Sequence, residues 1–404
     1  MPETLALRPT GVAAGGAAVA RDDDGRVIFV EDALPDELVS VELVDHRRSF
    51  ARGQATAVLE RSVHRVEPPC PHVADGCGGC RWQHVATEHQ PELKRQIVVD
   101  ALARIGKLGD PEALGGLVKV GAPLATSGYR TTIRAGVIGG RAGLRHRRSH
   151  DVLALDTCLV AHPLVEELLV DGRFGEATEV TLRAGAATGE RLVLASPTAL
   201  GVEVPPDVRV VGADQLAGGR RAWFHDEVAG RRWRISATSF FQSRPDGAQQ
   251  LVDLVSEAVA RHAADARTLV DLCCGVGLLA GAIGEARGLA TVAVERHGAA
   301  VHDARHNLSD LGMTVVRTGM DSWRPAPADV VVADPARRGL GAKAVRAVAA
   351  TGAGLVVLVS CDPAALGRDA GLLVAEGYRL ERVTLVDLFP HTPEVEAVSV
   401  FTRP

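Results

Sequence analysis

The stretch Val270-Asp-Leu-Cys-Cys-Gly-Val-Gly-Leu-Leu-Ala280 decides the fold. It starts as an apolar run of strand type, passes through a Gly-x-Gly turn and continues into residues that suit a helix. Glycines at such a turn let the backbone approach a ligand, and the N-terminus of the helix that follows favours the ligand's polar or anionic parts. Gly275, Gly277 and Ala280 fit the loose dinucleotide pattern, and Glu295, eighteen residues after Gly277, is placed to take ribose hydroxyls. Asp271 moves the balance toward S-adenosylmethionine. A carboxylate at that point suits a sulfonium and an ammonium group, whereas it would repel a pyrophosphate held on the helix end. An NAD-dependent oxidoreductase and a structural turn without ligand are the alternatives that the loop leaves open.

Working outward from this loop, compact apolar runs at Thr268–Leu272, Ala290–Val294, Thr314–Arg317, Asp329–Ala333 and Gly354–Ser360 alternate with helical patterns at Leu278–Ala286, Gly298–Leu311 and Ala342–Thr351. Such alternation predicts a mainly parallel, doubly wound α/β sheet of Rossmann type. The last two runs, Tyr378–Leu388 and Glu396–Thr402, have no helix between them and predict an antiparallel hairpin at one edge.

Upstream, residues 1 to 63 alternate in short β-like runs separated by Asp-Gly and Pro-Asp turns, which predicts a small barrel of OB type. Residues 64–240 read as a mixed, mainly β central domain with a cysteine-rich loop and an amphipathic helix over 88–106 that is able to pack on the catalytic part. Residues 241–404 form the third domain. Three domains agree with a length of 404 residues. No apolar stretch approaches the ~18–20 residues of a membrane span, and Met1–Thr10 has no apolar signal core, so a cytoplasmic, monomeric protein is expected.

Two further sites fall at the carboxyl ends of predicted strands, where open α/β sheets hold ligands. Asp334-Pro-Ala-Arg-Arg-Gly339 follows one strand and Val359-Ser-Cys-Asp-Pro363 the next. A cysteine at a strand end, ahead of a helix opened by proline, sits in an amide-rich field that can favour a thiolate; a small buried residue is the plainer reading of Cys361.

With these segments in view, the sequence resembles the RNA 5-methyluridine methyltransferases. The resemblance is carried by Asp334-Pro-Ala-Arg, by Ser360-Cys-Asp-Pro-Ala-Ala-Leu-Gly-Arg-Asp369, by Asp387-Leu-Phe-Pro-His-Thr-Pro-Glu-Val-Glu396, by Ser239-Phe-Phe-Gln242 and by the glycine loop. It runs in order over nearly the whole chain, including an N-terminal barrel that resembles a TRAM domain. It implies S-adenosylmethionine-dependent methylation of C5 of a uridine in tRNA or ribosomal RNA. Cys361 is then the nucleophile that adds to C6, and Glu396 the base that removes the C5 proton. Gln242, Asp271, Cys273, Gly275, Gly277, Glu295 and Asp334 are expected around the cofactor. Asp362, Leu278 and Cys273 depart from common family residues, and an added carboxylate at Asp362 would raise the thiol's pKa. His391, next to Pro390 and Thr392, reads as a loop residue.

Seven cysteines in a chain with no export signal point to metal, redox or catalytic use before disulfides. Cys70-x6-Cys77-Gly-Gly-Cys80 with the remote Cys158 offers four thiolates, enough for zinc or an iron–sulfur cluster. The resemblance implies a [4Fe–4S] cluster, since one subgroup of the family carries it on a similar loop. The net charge of −5 argues mildly against RNA. Against that average, six arginines (130, 134, 141, 145, 147 and 148) fall between Tyr129 and His150 with no acid among them, a density that suits phosphate contacts. A non-catalytic RNA-binding protein on a methyltransferase scaffold is the further alternative.

Overall fold

In the computed structural model, which describes residues 4–403, the glycine loop lies at the centre of an eight-stranded sheet. Its order is Thr314–Arg317, Ala290–Glu295, Thr268–Leu272, Val330–Ala333, Leu355–Ser360, Ala397–Thr402, Arg379–Leu385 and Val118–Val120. The first five strands pair in parallel, and Ala397–Thr402 runs antiparallel between Leu355–Ser360 and Arg379–Leu385. The order reverses beside Thr268–Leu272, so the crevice between it and Val330–Ala333 is the switch point at which such sheets bind ligands.

The central strands Thr268–Leu272, Val330–Ala333 and Leu355–Ser360 are largely apolar and buried because both faces are covered. Leu269, Val330 and Val332 pack toward the helices Pro245–His262 and Leu278–Arg287. Val270, Leu272, Val331 and Ala333 pack on the other face, against Gly341–Ala350, Pro363–Ala375 and a helix from far upstream, Gln90–Arg104. That upstream helix crosses Pro363–Ala375 at Gly367, where a Cβ would stand 2.4 Å from the Ala101 carbonyl oxygen. The sheet therefore draws its last strand, Val118–Val120, and one covering helix from the 64–240 stretch.

The remaining chain forms two six-stranded sheets. One gathers strands from Thr4–Leu7 to Phe50–Glu60 around a small apolar core with Ile28, Val30, Val39 and Val41. The other is built from strands between Thr132 and Gly212, with the helix Pro163–Asp171 packed on it. The hairpin Trp223–Val228/Arg231–Ser236 joins the core of the large sheet through the fully buried Trp233. Among the described residues no helix is long and apolar enough to cross a membrane.

Candidate active site

Each catalytic candidate sits where its strand ends. Asp271 closes the Thr268–Leu272 strand, and the Asp334 N–H donates to the Leu272 carbonyl at 3.2 Å. Ser360 pairs with Ala397 across antiparallel strands, so Cys361 and Glu396 lie one residue beyond that pair, on the same edge of the sheet. Asp271, Asp334, Cys361 and Glu396 come from four strand ends separated by up to 125 residues and share one edge.

The turn after Asp271 is tight. Gly277 caps the Leu278–Arg287 helix at φ 96°, a conformation that costs an L side chain energy, and Cys273 adopts φ 65° without that freedom. Asp271 Oδ2 accepts from the Ala280 N–H at 2.8 Å, while Oδ1 is buried with no partner among the described residues. Glu295 Oε2 accepts from the Gly275 N–H at 3.1 Å, tying the glycine loop to the next strand. A cavity lined by Phe241, Gln242, Asp271, Cys273, Gly275 and Asp334 opens between these elements. Five of the seven expected cofactor residues line it, while Gly277 holds its turn and Glu295 braces it.

The electrostatics of this edge are unusual. Burial pushes Asp271 up to about 7, with the charges of Asp334 and Glu295 adding to the rise against the Ala280 N–H. Asp334 is pushed up to about 7 by burial, opposed by the Gln242 amide. Glu396, fully buried, stands well above the usual carboxylate range through burial and then Asp334, and its Oε1 has no partner among the described residues. Buried acids held this way take up protons, or they wait for a cation.

Cys361 departs from the sequence expectation of a favoured thiolate. Burial, then Glu396 and Asp334, raise its thiol to about 12, and Arg337 opposes them. The helix amides do not offset this, because Asp362 takes the N-cap role and accepts from the Ala365 N–H at 2.7 Å. The carboxylates that raise the thiol are thus Glu396 and Asp334, not Asp362.

The segment leading to Glu396 is clamped from outside the sheet. Lys94, with its side chain fully buried, donates to Asp387 at 2.6 Å and to the Phe389 carbonyl at 2.9 Å. Gln90 accepts from the His391 N–H at 2.6 Å, and His391 Nε2 lies 3.1 Å from the Thr126 carbonyl. His391 is therefore part of the loop's framework. Asp369 accepts from the N–H groups of Leu340 and Gly341 at 2.6 and 3.0 Å, anchoring the loop that begins at Asp334. Lys94 and Gln90 escaped sequence reading, since nothing local ties residues 90–94 to residues 387–391; Arg337 stood in the Asp334-Pro-Ala-Arg motif without an assigned role.

The four remote cysteines also meet. Cys70, Cys77, Cys80 and Cys158 line one cavity of about 230 Å³. Gly78 and Gly79 let the loop press on the Arg141–Arg145 strand: a Cβ on Gly78 would lie 2.9 Å from the Arg145 carbonyl oxygen. Burial raises the thiols of Cys77, Cys80 and Cys158. Among the described residues no three His, Cys, Asp or Glu side chains close in on a single ion's position.

The arginines between Tyr129 and His150 are more engaged than their sequence suggests. Arg134 and Arg145 face Glu179, Arg147 pairs with Asp32 at 2.8 Å, and Arg148 with Glu31 at 3.0 Å. Arg130 and Arg141 donate to the carbonyls of Thr132 and Leu155. Acids distant in sequence supply the partners: Glu179 within the same sheet for Arg134 and Arg145, and Glu31 and Asp32 of the N-terminal sheet for Arg147 and Arg148.

Comparison with known proteins gives this arrangement a family. The chain is 34% identical to an RNA methyltransferase of Streptomyces avermitilis, over 96% of both chains. The chain belongs to the RNA methyltransferase family. A second relative, an RNA methyltransferase of Thermosynechococcus vestitus, is 32% identical over 99% of this chain and 98% of its own. Residues 10–56 of the methyltransferase match the TRAM domain model, inside the N-terminal sheet. The crystal structure of Pyrococcus abyssi tRNA (uracil-54, C5)-methyltransferase in complex with S-adenosyl-L-homocysteine superposes with a TM-score of 0.74 at 21% identity, covering 99% of each chain. The methyltransferase thus has the expected fold, an α/β Rossmann-like domain with an N-terminal TRAM domain.

Proposed function

We propose that this methyltransferase transfers a methyl group from S-adenosylmethionine to C5 of a uridine in tRNA or ribosomal RNA through a covalent Cys361–C6 adduct. The observation that carries this reading is that Cys361 and Glu396 both lie one residue beyond the Ser360–Ala397 pair of two antiparallel strands, on the edge that also holds Asp271 and Asp334. A cysteine and a buried acid on one edge match a reaction that needs a nucleophile at C6 and a base at C5.

Each residue has a task in that reaction. The Cys361 thiol gives its proton to solvent, its sulfur bonds to C6, and the electron pair of the C5–C6 double bond moves onto C5 and the adjoining carbonyl oxygen. S-adenosylmethionine supplies the electrophilic methyl that C5 takes, and its positive groups suit the Asp271 side of the cavity, where Oδ1 has no partner. Glu396 then removes the C5 proton; the freed electron pair re-forms the C5–C6 double bond and expels the Cys361 thiolate. A carboxylate whose pKa is raised is the stronger base for that step. The target base must leave its stack to arrive here, so the substrate uridine lies in a loop, bulge or remodelled helix.

Cys70, Cys77, Cys80 and Cys158 are proposed to hold a [4Fe–4S] cluster in a structural role. Thiols on the walls of a cavity of about 230 Å³ suit a cluster better than a single zinc ion, which draws four ligands to ~2.3 Å. In domain terms, residues 1–63 form the RNA-binding barrel, 64–240 a central part that lends its 90–120 stretch to the catalytic sheet, and 241–404 the methyl-transfer domain. The test is mass spectrometry of nucleosides from RNA incubated with the enzyme and deuterated-methyl S-adenosylmethionine. Labelled 5-methyluridine is expected, and label in any other nucleoside overturns the reading.

A further inference from the structure

We infer that a basic cavity beside the Gly298–Asn307 helix is a phosphate-binding site for the substrate RNA strand, an inference that rests on the RNA methyltransferase reading above. Arg220, Arg221, Arg234, His302, Arg305 and Arg317 line a cavity of about 450 Å³, with no carboxylate in its lining. They come from the loop before the Trp223–Val228 strand, from Arg231–Ser236, from the helix itself and from the end of Thr314–Arg317. Their spread over nearly a hundred residues hid the cluster from sequence reading.

The cavity gathers more positive charge than the chain answers. Arg234 is 8% exposed, lies 4.1 Å over the Trp223 ring, and keeps a buried Nε–H without a hydrogen-bond partner among the described residues. The acid that faces it, Asp303, stands 3.4 Å away and already accepts from Ser236 and Ser239 at 2.6–2.8 Å. Arg221 donates to His302 Nε2 at 3.2 Å, and burial, then Arg234 and Arg221, hold that ring below the usual histidine range. Arg305 and Arg317 enter no ion pair among the described residues. This is the reverse of the Tyr129–His150 arginines, most of which have an acid. The N-terminal turn of the ten-residue helix, Gly298 and Ala299, adds its amides to the same space. Guanidinium forks with no carboxylate to pair with match phosphate oxygens.

Position favours a phosphodiester of a strand over a free anion. Thr238 lines the basic cavity, and the adjoining Phe240–Gln242 segment lines the acid-lined cavity at the sheet edge. A strand whose base enters the reaction edge would lay a backbone phosphate in the basic cavity.

The test titrates the full-length chain with a short fluorescein-labelled oligouridylate at several salt concentrations, and with S-adenosylhomocysteine. The double substitution Arg305→Ala/Arg317→Ala is expected to weaken oligouridylate binding about tenfold and to lower the slope of log affinity against log salt by about one, with S-adenosylhomocysteine binding unchanged. Equal affinity and slope in wild type and variant would overturn the site. Inorganic phosphate held by the wild type, lost in the variant and not displaced by oligouridylate would mark a free-anion site and overturn the strand assignment. A wild type that binds neither oligouridylate nor S-adenosylhomocysteine would instead bring down the methyltransferase reading beneath it.

Discussion

The molecule gathers cysteines in two places, and their surroundings differ. At the sheet edge, Cys361 is flanked by Asp334, Glu396 and Arg337, with burial raising Asp334 to about 7 and holding Glu396 well above the usual carboxylate range. In the central part, Cys70, Cys77, Cys80 and Cys158 stand together around a cavity whose other walls include Ile133, Leu144, Leu155 and Val160. The first environment controls protons, and the second gathers soft ligands and shields them. A thiol near 12 is not a resting thiolate, so nucleophilicity at Cys361 has to come with bound substrate and cofactor, whose positive charge offsets the acids.

This contrast is sharpest in substitutions. Cys361→Ala removes the proposed nucleophile, and turnover is expected to fall by at least about 10⁴-fold while S-adenosylhomocysteine still binds, checked by methyl transfer and calorimetry. Glu396→Gln should slow turnover by roughly 10²–10⁴-fold and accumulate a protein–RNA adduct on a denaturing gel. Recovery of free RNA alone would remove the base role. In the other region, Cys158→Ser should cost iron and thermal stability: anaerobically purified protein loses its broad visible absorbance, and the melting temperature falls. A colourless wild type with one bound zinc would replace the cluster with a zinc site.

The smallest effect is a pH dependence. The folded pKa of Asp271 is raised to about 7 from 3.8, so the native state binds the extra proton between those values. Unliganded stability therefore declines as pH rises from about 4 to about 7 and levels off above. Asp271→Asn should flatten this decline, melting higher than wild type at pH above 7 and more nearly alike in acid, while weakening cofactor binding. Parallel melting curves for the two proteins across that range would refute the assignment.

How much of this was legible in the sequence depends on where the information sits. Strands buried on both faces write themselves as unbroken apolar runs, so Thr268–Leu272 and Leu355–Ser360 were readable, as was the glycine turn. Val118–Val120 was not: three residues carry no period, and their pairing with Arg379–Leu385 is a long-range fact. The Gln90–Arg104 helix was visible, but its grip on residues 387–391 through Lys94 and Gln90 was not. The motif residues came together at one edge as their strand positions implied. The direction of the Cys361 shift did not follow from position, because burial and two acids outweigh a helix end already capped by Asp362. Charge counting singled out the Tyr129–His150 arginines without showing the acids that face most of them, and it did not show the scattered basic residues that meet around His302.

The central claim is the covalent bond between Cys361 and C6 of the substrate uracil. RNA carrying 5-fluorouridine tests it most directly, because Glu396 cannot remove fluorine as a cation and the methylated adduct cannot collapse. With S-adenosylmethionine present, the account predicts a denaturation-resistant protein–RNA complex whose cross-linked peptide contains Cys361. A complex on any other residue, or none from an enzyme that methylates the unsubstituted RNA, would contradict it.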